Sequence, residues 1–228
     1  MSGGAAMSGV RPDVIGGNAG EGPACLDRFG FVTERAKDGL RAYVALLEKW
    51  QATHNLVSAS TLKAVWSRHV LDSVQLLAAM PEARRWIDLG SGAGFPGMVI
   101  AILLAETGGA HVTLVESNNK KCAFLRAVAR ATNAPVDVAC ERIESFATRP
   151  HDGVDVVSAR ALAPFADLCR LAAPLMEPET VLLLPKGQDF VHEEQEASKY
   201  WGYDLVITDS VTDPGGRIIA VRNLKEKS

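Results

Sequence analysis

The chemistry-bearing stretch of this 228-residue chain is Trp86-Ile87-Asp88-Leu89-Gly90-Ser91-Gly92-Ala93-Gly94-Phe95-Pro96-Gly97, which runs straight into the apolar Met98–Ala105. A short apolar run closing on an acid, then glycines, then a second apolar run is the pattern of a buried strand, a tight turn and a helix N-terminus. Glycine reaches positive φ and, without a Cβ, lets the backbone come close to bound atoms. Pro96 suits the first turn of the helix, where its missing N–H is not needed. The free amides at that helix start are expected to bind an anion, phosphate or carboxylate. A phosphate loop of the G-x-x-x-x-G-K-[ST] type is excluded, because Met98 stands in the lysine position. Gly92, Gly94 and Gly97 satisfy G-x-G-x-x-G, which leaves a dinucleotide open.

Other residues bear on the ligand. Glu116 closes the strand-like His111–Glu116 roughly 20 residues beyond the loop, where a ribose-binding carboxylate is expected. Arg160 follows Val154-Asp155-Val156-Val157-Ser158, read as a buried strand. In an open α/β sheet the ligand crevice lies beyond the carboxyl ends of the strands, so Arg160 faces the reacting centre, unless it forms a structural ion pair with Asp155 or Glu144. Arg68, His69 and Asp72 stand at i,i+3 and i,i+4 spacing on one helix face. Taken alone, that face reads as a helical salt bridge with a solvated histidine.

These residues need a scaffold. Phe29, Val32, Leu40, Tyr43, Leu46, Leu47 and Trp50 keep approximate helical spacing between Asp27 and Gln51. A second helix is expected from the N-cap Ser60 to Met80, closed by Pro81. From the loop onward strands alternate with helices: His111–Glu116, a helix opened by Asn118-Asn119-Lys120-Lys121, then Pro135–Cys140, Val154–Ser158, a helix over Phe165–Ala173, and Val181–Leu184. A charged helix from Phe190 to about Trp201 precedes strands Asp204–Val211 and Arg217–Arg222, which flank the turn Asp213-Pro214-Gly215-Gly216. The alternation predicts an α/β fold with a mostly parallel, doubly wound sheet, and the C-terminal hairpin adds one antiparallel strand. Residues 1–24, rich in Gly, Ala and Ser, are expected to be a disordered tail, 25–82 an N-terminal helical extension, and 83–228 the ligand-binding domain.

Composition narrows the classes. A 47% hydrophobic content with a net charge of −3 describes a globular protein without a global nucleic-acid signature, so any RNA contact needs a local basic face. The four cysteines and five histidines form no C-x-x-C pair and no ligand-spaced cluster; no metal is expected, and the thiols read as reduced. There is no signal-peptide pattern, and Met98–Ala105 is too short to span a bilayer. The expectation is a cytoplasmic protein with no membrane partner, monomeric by default.

Read one glycine earlier, Asp88-x-Gly90-x-Gly92-x-Gly94 resembles the first motif of the Rossmann-like class I methyltransferases that depend on S-adenosyl-L-methionine (AdoMet). The resemblance implies that the amino acid moiety lies along the glycines and that Asp88 helps to hold its ammonium group. Within that class the residues after the fourth strand discriminate. Ser158-Ala159-Arg160-Ala161 cannot act as the Asn/Asp-Pro-Pro-aromatic segment of enzymes that methylate exocyclic amines, and Cys169 lies a helix too late for a cytosine C5 nucleophile. Guanine N7 fits, because its in-plane lone pair needs no general base; the enzyme must supply alignment and a dry, preorganised site. Arg160 could donate to guanine O6 or to a phosphate.

With Asn55-Leu56, Arg68-His69-x-x-Asp72-Ser73, Phe95-Pro96-Gly97, Glu141-Arg142-Ile143-Glu144, Ser158–Ala161 and Lys186-Gly187 added, the chain from about Leu46 to Asn223 resembles the 16S ribosomal RNA guanine-N7 methyltransferase G family (RsmG, formerly GidB). It departs from that family's usual loop at Ser91 and Ala93, where Thr or Pro is frequent. The resemblance implies that Gly90, Phe95, Ile143, Glu144 and Arg160 contact AdoMet or line its pocket, with Arg160 the catalytic candidate. It implies a 7-methylguanosine product near the decoding site, with small-subunit rRNA or the assembled subunit as partner. The Arg68-His69-Asp72 face then becomes a lid beside the pocket. Lys120, Lys121, Arg126, Arg142 and Lys186 become phosphate contacts, which position RNA without reading its sequence. An unpaired loop guanine suits this chemistry, since the deep A-form major groove hides N7.

Three rivals stand beside this reading. An NAD-linked oxidoreductase accounts for the loop and Glu116, but no proton-relay pair such as Tyr-x-x-x-Lys follows the fourth strand. An AdoMet-binding assembly or regulatory module without turnover would carry the same motifs. A small-molecule methyltransferase is disfavoured by the basic residues.

Overall fold

The computed structural model describes residues 21–54, 56–58, 62–151 and 153–227. Residues 1–20 of the expected tail, Asn55 and the Ser60 cap lie outside the described residues. Seven strands form one sheet: β1 Arg85–Leu89, β2 His111–Val115, β3 Val136–Ala139, β4 Val156–Ala159, β5 Val181–Lys186, β6 Trp201–Asp209 and β7 Arg217–Glu226. Their order is β3-β2-β1-β4-β5-β7-β6. β1 to β5 pair in parallel, and β7 runs antiparallel between β5 and β6. The expected single antiparallel strand is β7, inserted one place in from the edge.

Strand period sorts the core. Trp86, Val112, Leu114 and Val156 face one side, while Ile87, Leu89, Val157 and Ala159 face the other. Strands buried on both faces read as apolar runs, as Val181–Leu184 of β5 does; β4 is buried throughout, with Ser158 its one polar residue. On the first side lie α1 Glu34–His54, α2 Leu71–Ala79, α3 Gly97–Leu103 and α4 Asn119–Thr132. On the second lie α5 Ile143–Phe146, α6 Phe165–Ala172 and α7 Phe190–Ala197. Leu40, Tyr43 and Leu47 of α1 share a single core with Met98 and Ile100 of α3, so the N-terminal extension is packed onto the sheet's helical layer.

Several boundaries differ from the sequence reading. A 3-10 turn over Pro23–Leu26 precedes α1, whose start is fixed by Thr33 Oγ1 accepting the Ala36 N–H at 3.1 Å. The second helix is interrupted by a π-helical turn over Trp66–Val70, which carries Arg68 and His69. The Glu21 carboxylate accepts the Trp66 N–H at 3.1 Å and the Ser67 hydroxyl, so the wide turn has an external anchor. α7 stops at Ala197 because Trp201 begins β6. β7 extends to Glu226 because β6 pairs with it out to Trp201. At the start of α4 the Asn118 side chain caps the Lys120 and Lys121 amides at 2.9 and 3.2 Å.

One side chain ties the extension to the hairpin. Gln75 of α2 is buried; its Oε1 accepts the Val211 N–H at 3.0 Å and its Nε2 donates to Ser210 Oγ at 3.1 Å. Gln75→Leu, of similar volume, strands the Val211 amide, while Ser210 Oγ keeps the Thr212 hydroxyl at 2.8 Å; a buried unsatisfied group costs about 1–3 kcal/mol. The expected result is a fall of about 1–3 kcal/mol in urea unfolding free energy with an unchanged m value.

Candidate active site

Asp88 lies beneath the glycine loop. It is fully buried, with Oδ1 accepting the Ser158 hydroxyl at 2.8 Å and Oδ2 accepting the Gly97 N–H at 3.3 Å. Asp88 and Ser158 are register partners on adjacent strands, so their side chains share the α3 face. Burial pushes the Asp88 carboxyl up to about 6, against the hydrogen bonds from Ser158 and Gly97. Two expectations change. The anion at the start of α3 is Asp88 itself, and the Met98 N–H is spent on the Gly94 carbonyl at 2.8 Å, so that helix start offers no free amide pair there. Asp88 therefore shapes the loop from below, with no surface of its own to meet a ligand.

The loop glycines divide by what surrounds them. A Cβ on Gly97 would come within 2.6 Å of Asp88 Cβ, so this residue is needed for close packing of α3 on β1. Gly92 is different: it has φ +57°, and a Cβ there would meet nothing nearer than the Gly90 carbonyl at 3.8 Å. The open side of the loop is at Gly92. Gly90 and Gly94 are likewise left-handed, and the Leu162 side chain packs over Gly90.

Phe95 joins the loop to the N-terminal extension. Its ring centroid lies 5.3 Å from both Tyr43 and His69, and the Arg160 guanidinium carbon sits 5.2 Å from the ring centre. Tyr43, fully buried, donates its hydroxyl to the Ala93 carbonyl at 2.6 Å. By spacing alone Tyr43 is one more apolar helix position; the signal that marks it out is a phenol in a core stripe, which needs a polar partner. Arg160 pairs with neither Asp155 nor Glu144. Its Nη1 lies 3.8 Å from Asp72 Oδ2, while Asp155 accepts the backbone amides of Arg84 and Arg85. Burial lowers the arginine's pKa and raises that of Asp72, each opposed by the other's charge. His69 is pushed down to about 4 by burial and by Arg160 and Arg68, and its Nδ1 is buried without a hydrogen-bond partner.

A cavity of about 520 Å³ opens beside Arg160, between Asp72, Leu162, Lys186 and the hairpin residues Asp213 and Arg217. The hairpin turn was legible in the sequence, but its place as a cavity wall follows only from β7 lying beside β5. On the other side of the loop, Glu116 accepts the Gly92 N–H at 2.9 Å and the Asn118 N–H at 2.8 Å, and so couples β2 to the loop. Ile143 is half-buried and Glu144 exposed on α5. The cations separate into two groups. Lys120 and Arg142 are exposed and Lys121 half-buried, following the carboxyl ends of β2 and β3. Arg126 donates to the Val138 carbonyl at 3.0 Å, and Lys186 is tied to Glu193 at 2.6 Å and to the Ala163 carbonyl. Lys186 thus belongs to the cavity wall, its charge neutralised, and not to an open phosphate track. Among the described residues no group of His, Cys, Asp and Glu could hold a metal ion, and no helix is long and apolar enough to cross a membrane.

Gly97→Ala is expected to destabilise the fold by about 1–3 kcal/mol through overpacking. Gly92→Val sets a β-branched residue at φ +57°, costing about 1–3 kcal/mol of backbone strain. It is expected to abolish binding of the loop ligand even below its melting temperature, because the side chain occupies the open side, whereas Gly97→Ala keeps that binding. Thermal melting and calorimetric titration with AdoMet separate the two. His69 supplies a pH test. Its folded pKa lies below the usual 6.5, so the unfolded chain takes up a proton that the folded one refuses. That stability is present above pH 6.5 and is lost as the pH falls toward 4. Asp88, raised to about 6, acts in the opposite direction. The difference between parent and His69→Gln isolates the histidine: the parent should lose on the order of 1–2 kcal/mol more than the variant between pH 7 and 5 in urea titrations.

The model of the GidB family, rRNA small subunit methyltransferase G, matches residues 36–217. The chain is 50% identical over 209 residues to the ribosomal RNA small subunit methyltransferase G of Parvibaculum lavamentivorans, covering 89% of this chain and 92% of the relative. It is 48% identical over 193 residues to that of Methylorubrum populi, covering 85% and 91%. Among solved structures, an O-methyltransferase from Bacillus cereus superposes with a TM-score of 0.52 at 16% identity, over 84% of this chain and 91% of that one. TomG from Streptomyces achromogenes gives 0.52 at 14%, over 83% and 90%. At such identities these structures share the fold, the Rossmann-like class I methyltransferase sheet. A family model across 182 residues and relatives about half identical over nearly their whole length place the chain in one family: it belongs to rRNA small subunit methyltransferase G.

Proposed function

We propose that the protein transfers a methyl group from AdoMet to N7 of a guanine in the decoding-region loop of small-subunit (16S) rRNA, in the cytoplasm and as a monomer. Membership of the family, with relatives named for small-subunit rRNA methylation, supports the reaction and the RNA. The observation that carries the reading is Arg160, held across Phe95 of the glycine loop and beside Asp72, on the wall of the 520 Å³ cavity.

The residues fit AdoMet. The open side at Gly92 leaves room for the amino acid moiety along Gly90–Gly94, with Asp88 fixing the loop from below. Each Glu116 oxygen accepts one backbone N–H and keeps a lone pair for ribose hydroxyls. Ile143 offers a half-buried apolar wall for the adenine, with Glu144 at its rim. Bound AdoMet supplies a methyl group activated by its sulfonium. Guanine N7 needs no base; His69, pushed down to about 4 by burial and so a poor proton acceptor, sits against Phe95 as an aromatic wall. What the protein contributes is alignment of the base, exclusion of water and a fixed donor in Arg160. The extension 25–82 acts on the site through Tyr43, His69 and Asp72, as a packed wall to the domain 83–228. Lys120, Lys121 and Arg142 suit phosphate contacts on the approach, as does Arg126, which is exposed and keeps its charge with one N–H on the Val138 carbonyl; Lys186 is neutralised by Glu193. The sheet order and the family set aside the dinucleotide reading.

The test is a transfer assay with labelled AdoMet and small subunits lacking the modification, the RNA being mapped by cleavage at 7-methylguanosine. One labelled guanine in the decoding region is expected. Arg160→Ala should lower turnover by about 10²-fold or more while the protein remains folded by circular dichroism at the assay temperature. AdoMet binding without label would favour a binding module.

A further inference from the structure

Guanine and adenine both present an N7 lone pair, so methyl transfer to N7 does not by itself choose between them. The choice must come from the neighbouring edge. Guanine places an acceptor, O6, beside a donor, N1–H; adenine reverses the order, with the N6 amino group beside an unprotonated N1.

The cavity wall carries one matching pair. Asp72 Oδ2 and Arg160 Nη1 stand 3.8 Å apart, beyond hydrogen-bond distance, so neither satisfies the other. The carboxylate is held from closing the gap, because its Oδ1 accepts the Thr212 hydroxyl and the Gln75 amide at 3.3 Å. Arg160 is held by the Phe95 face. Their side chains keep 25% and 19% exposure, toward a cavity that both line. Of the other charges of that wall, Lys186 is paired with Glu193, and Arg217 with Asp209 and the Gly216 carbonyl at 2.8 Å. Asp213 accepts the Gly215 amide and is exposed to solvent, while Arg160 itself gives Nη1 to the Arg68 carbonyl at 3.5 Å and keeps its other N–H groups.

We propose that Asp72 and Arg160 select guanine by its 6-edge, Arg160 donating to O6 while Asp72 accepts N1–H; this rests on the N7 reading above. Adenine in the same place sets an amino group against the guanidinium and a lone pair against the carboxylate, leaving the donor and the acceptor that face the cavity without hydrogen-bond partners. Sites built on such hydrogen bonds discriminate strongly against a base that cannot make them. Asp72 is on this account a specificity-determining residue supplied by the helical extension.

Inosine and adenosine isolate the edge, since both lack the 2-amino group and differ only at position 6 and N1. Reconstituted small subunits carrying guanosine, inosine or adenosine at the labelled position would be assayed with the parent protein and with Asp72→Asn, a variant that keeps the acceptor for Thr212 and Gln75. The parent should prefer inosine over adenosine by about 10²-fold or more. In the variant that ratio should fall by at least about tenfold, while AdoMet affinity stays within about twofold. A variant that slows all three bases by one factor with the ratio intact would reduce Asp72 to a structural ion-pair partner and overturn the proposal. A parent protein with no preference for inosine overturns it without any variant, whatever the variant's stability. A parent that labels no guanosine at all overturns the N7 reading and this inference with it.

Discussion

The buried carboxylate of Asp88 is the constraint on which the rest of the site depends. A charged group with no solvent must be fully occupied, and Asp88 is held by Ser158 of the neighbouring strand and by the first amide of α3. Those two bonds set the spacing of β1, β4 and the glycine loop together. The loop's open side at Gly92 and the position of Arg160 two residues beyond Ser158 both follow from that spacing, since alternate residues of a strand share a face.

The helical extension completes the site. Tyr43 hangs on the loop through the Ala93 carbonyl, Phe95 packs against Tyr43 and His69, and Asp72 stands beside Arg160. Gln75, one turn past Asp72, joins the same helix to the hairpin that bounds the cavity. The cavity wall is thus made from three distant parts of the chain, and a displacement of α2 would alter both the Asp72–Arg160 pair and the hairpin side of that wall.

Much of the scaffold is legible in the sequence. The loop, the strand-end Glu116 and the alternation that gives a doubly wound sheet are local patterns, set by glycine's φ and by apolar period. The errors fall where pairing partners decide the outcome: β6 and β7 lengthen one another beyond the stretches expected for either, and a wide turn anchored by Glu21 breaks a helix that looked continuous. Lys186 read as a free cation because its partner Glu193 lies on a following helix whose orientation the sequence does not state.

By itself, then, the sequence determined the fold class, the place of the glycine loop and the family, because each rests on residue types at fixed short spacing. Only the tertiary structure decided what those residues touch. It turned Asp88 from a ligand contact into the floor of the loop, drew Tyr43 into the site across 50 residues of chain, and set Asp72 beside Arg160 at an unclosed 3.8 Å. The reason is physical: burial and charge pairing depend on which surfaces the packed helices and strands bring together, and contacts between residues far apart in sequence leave no periodic trace in it.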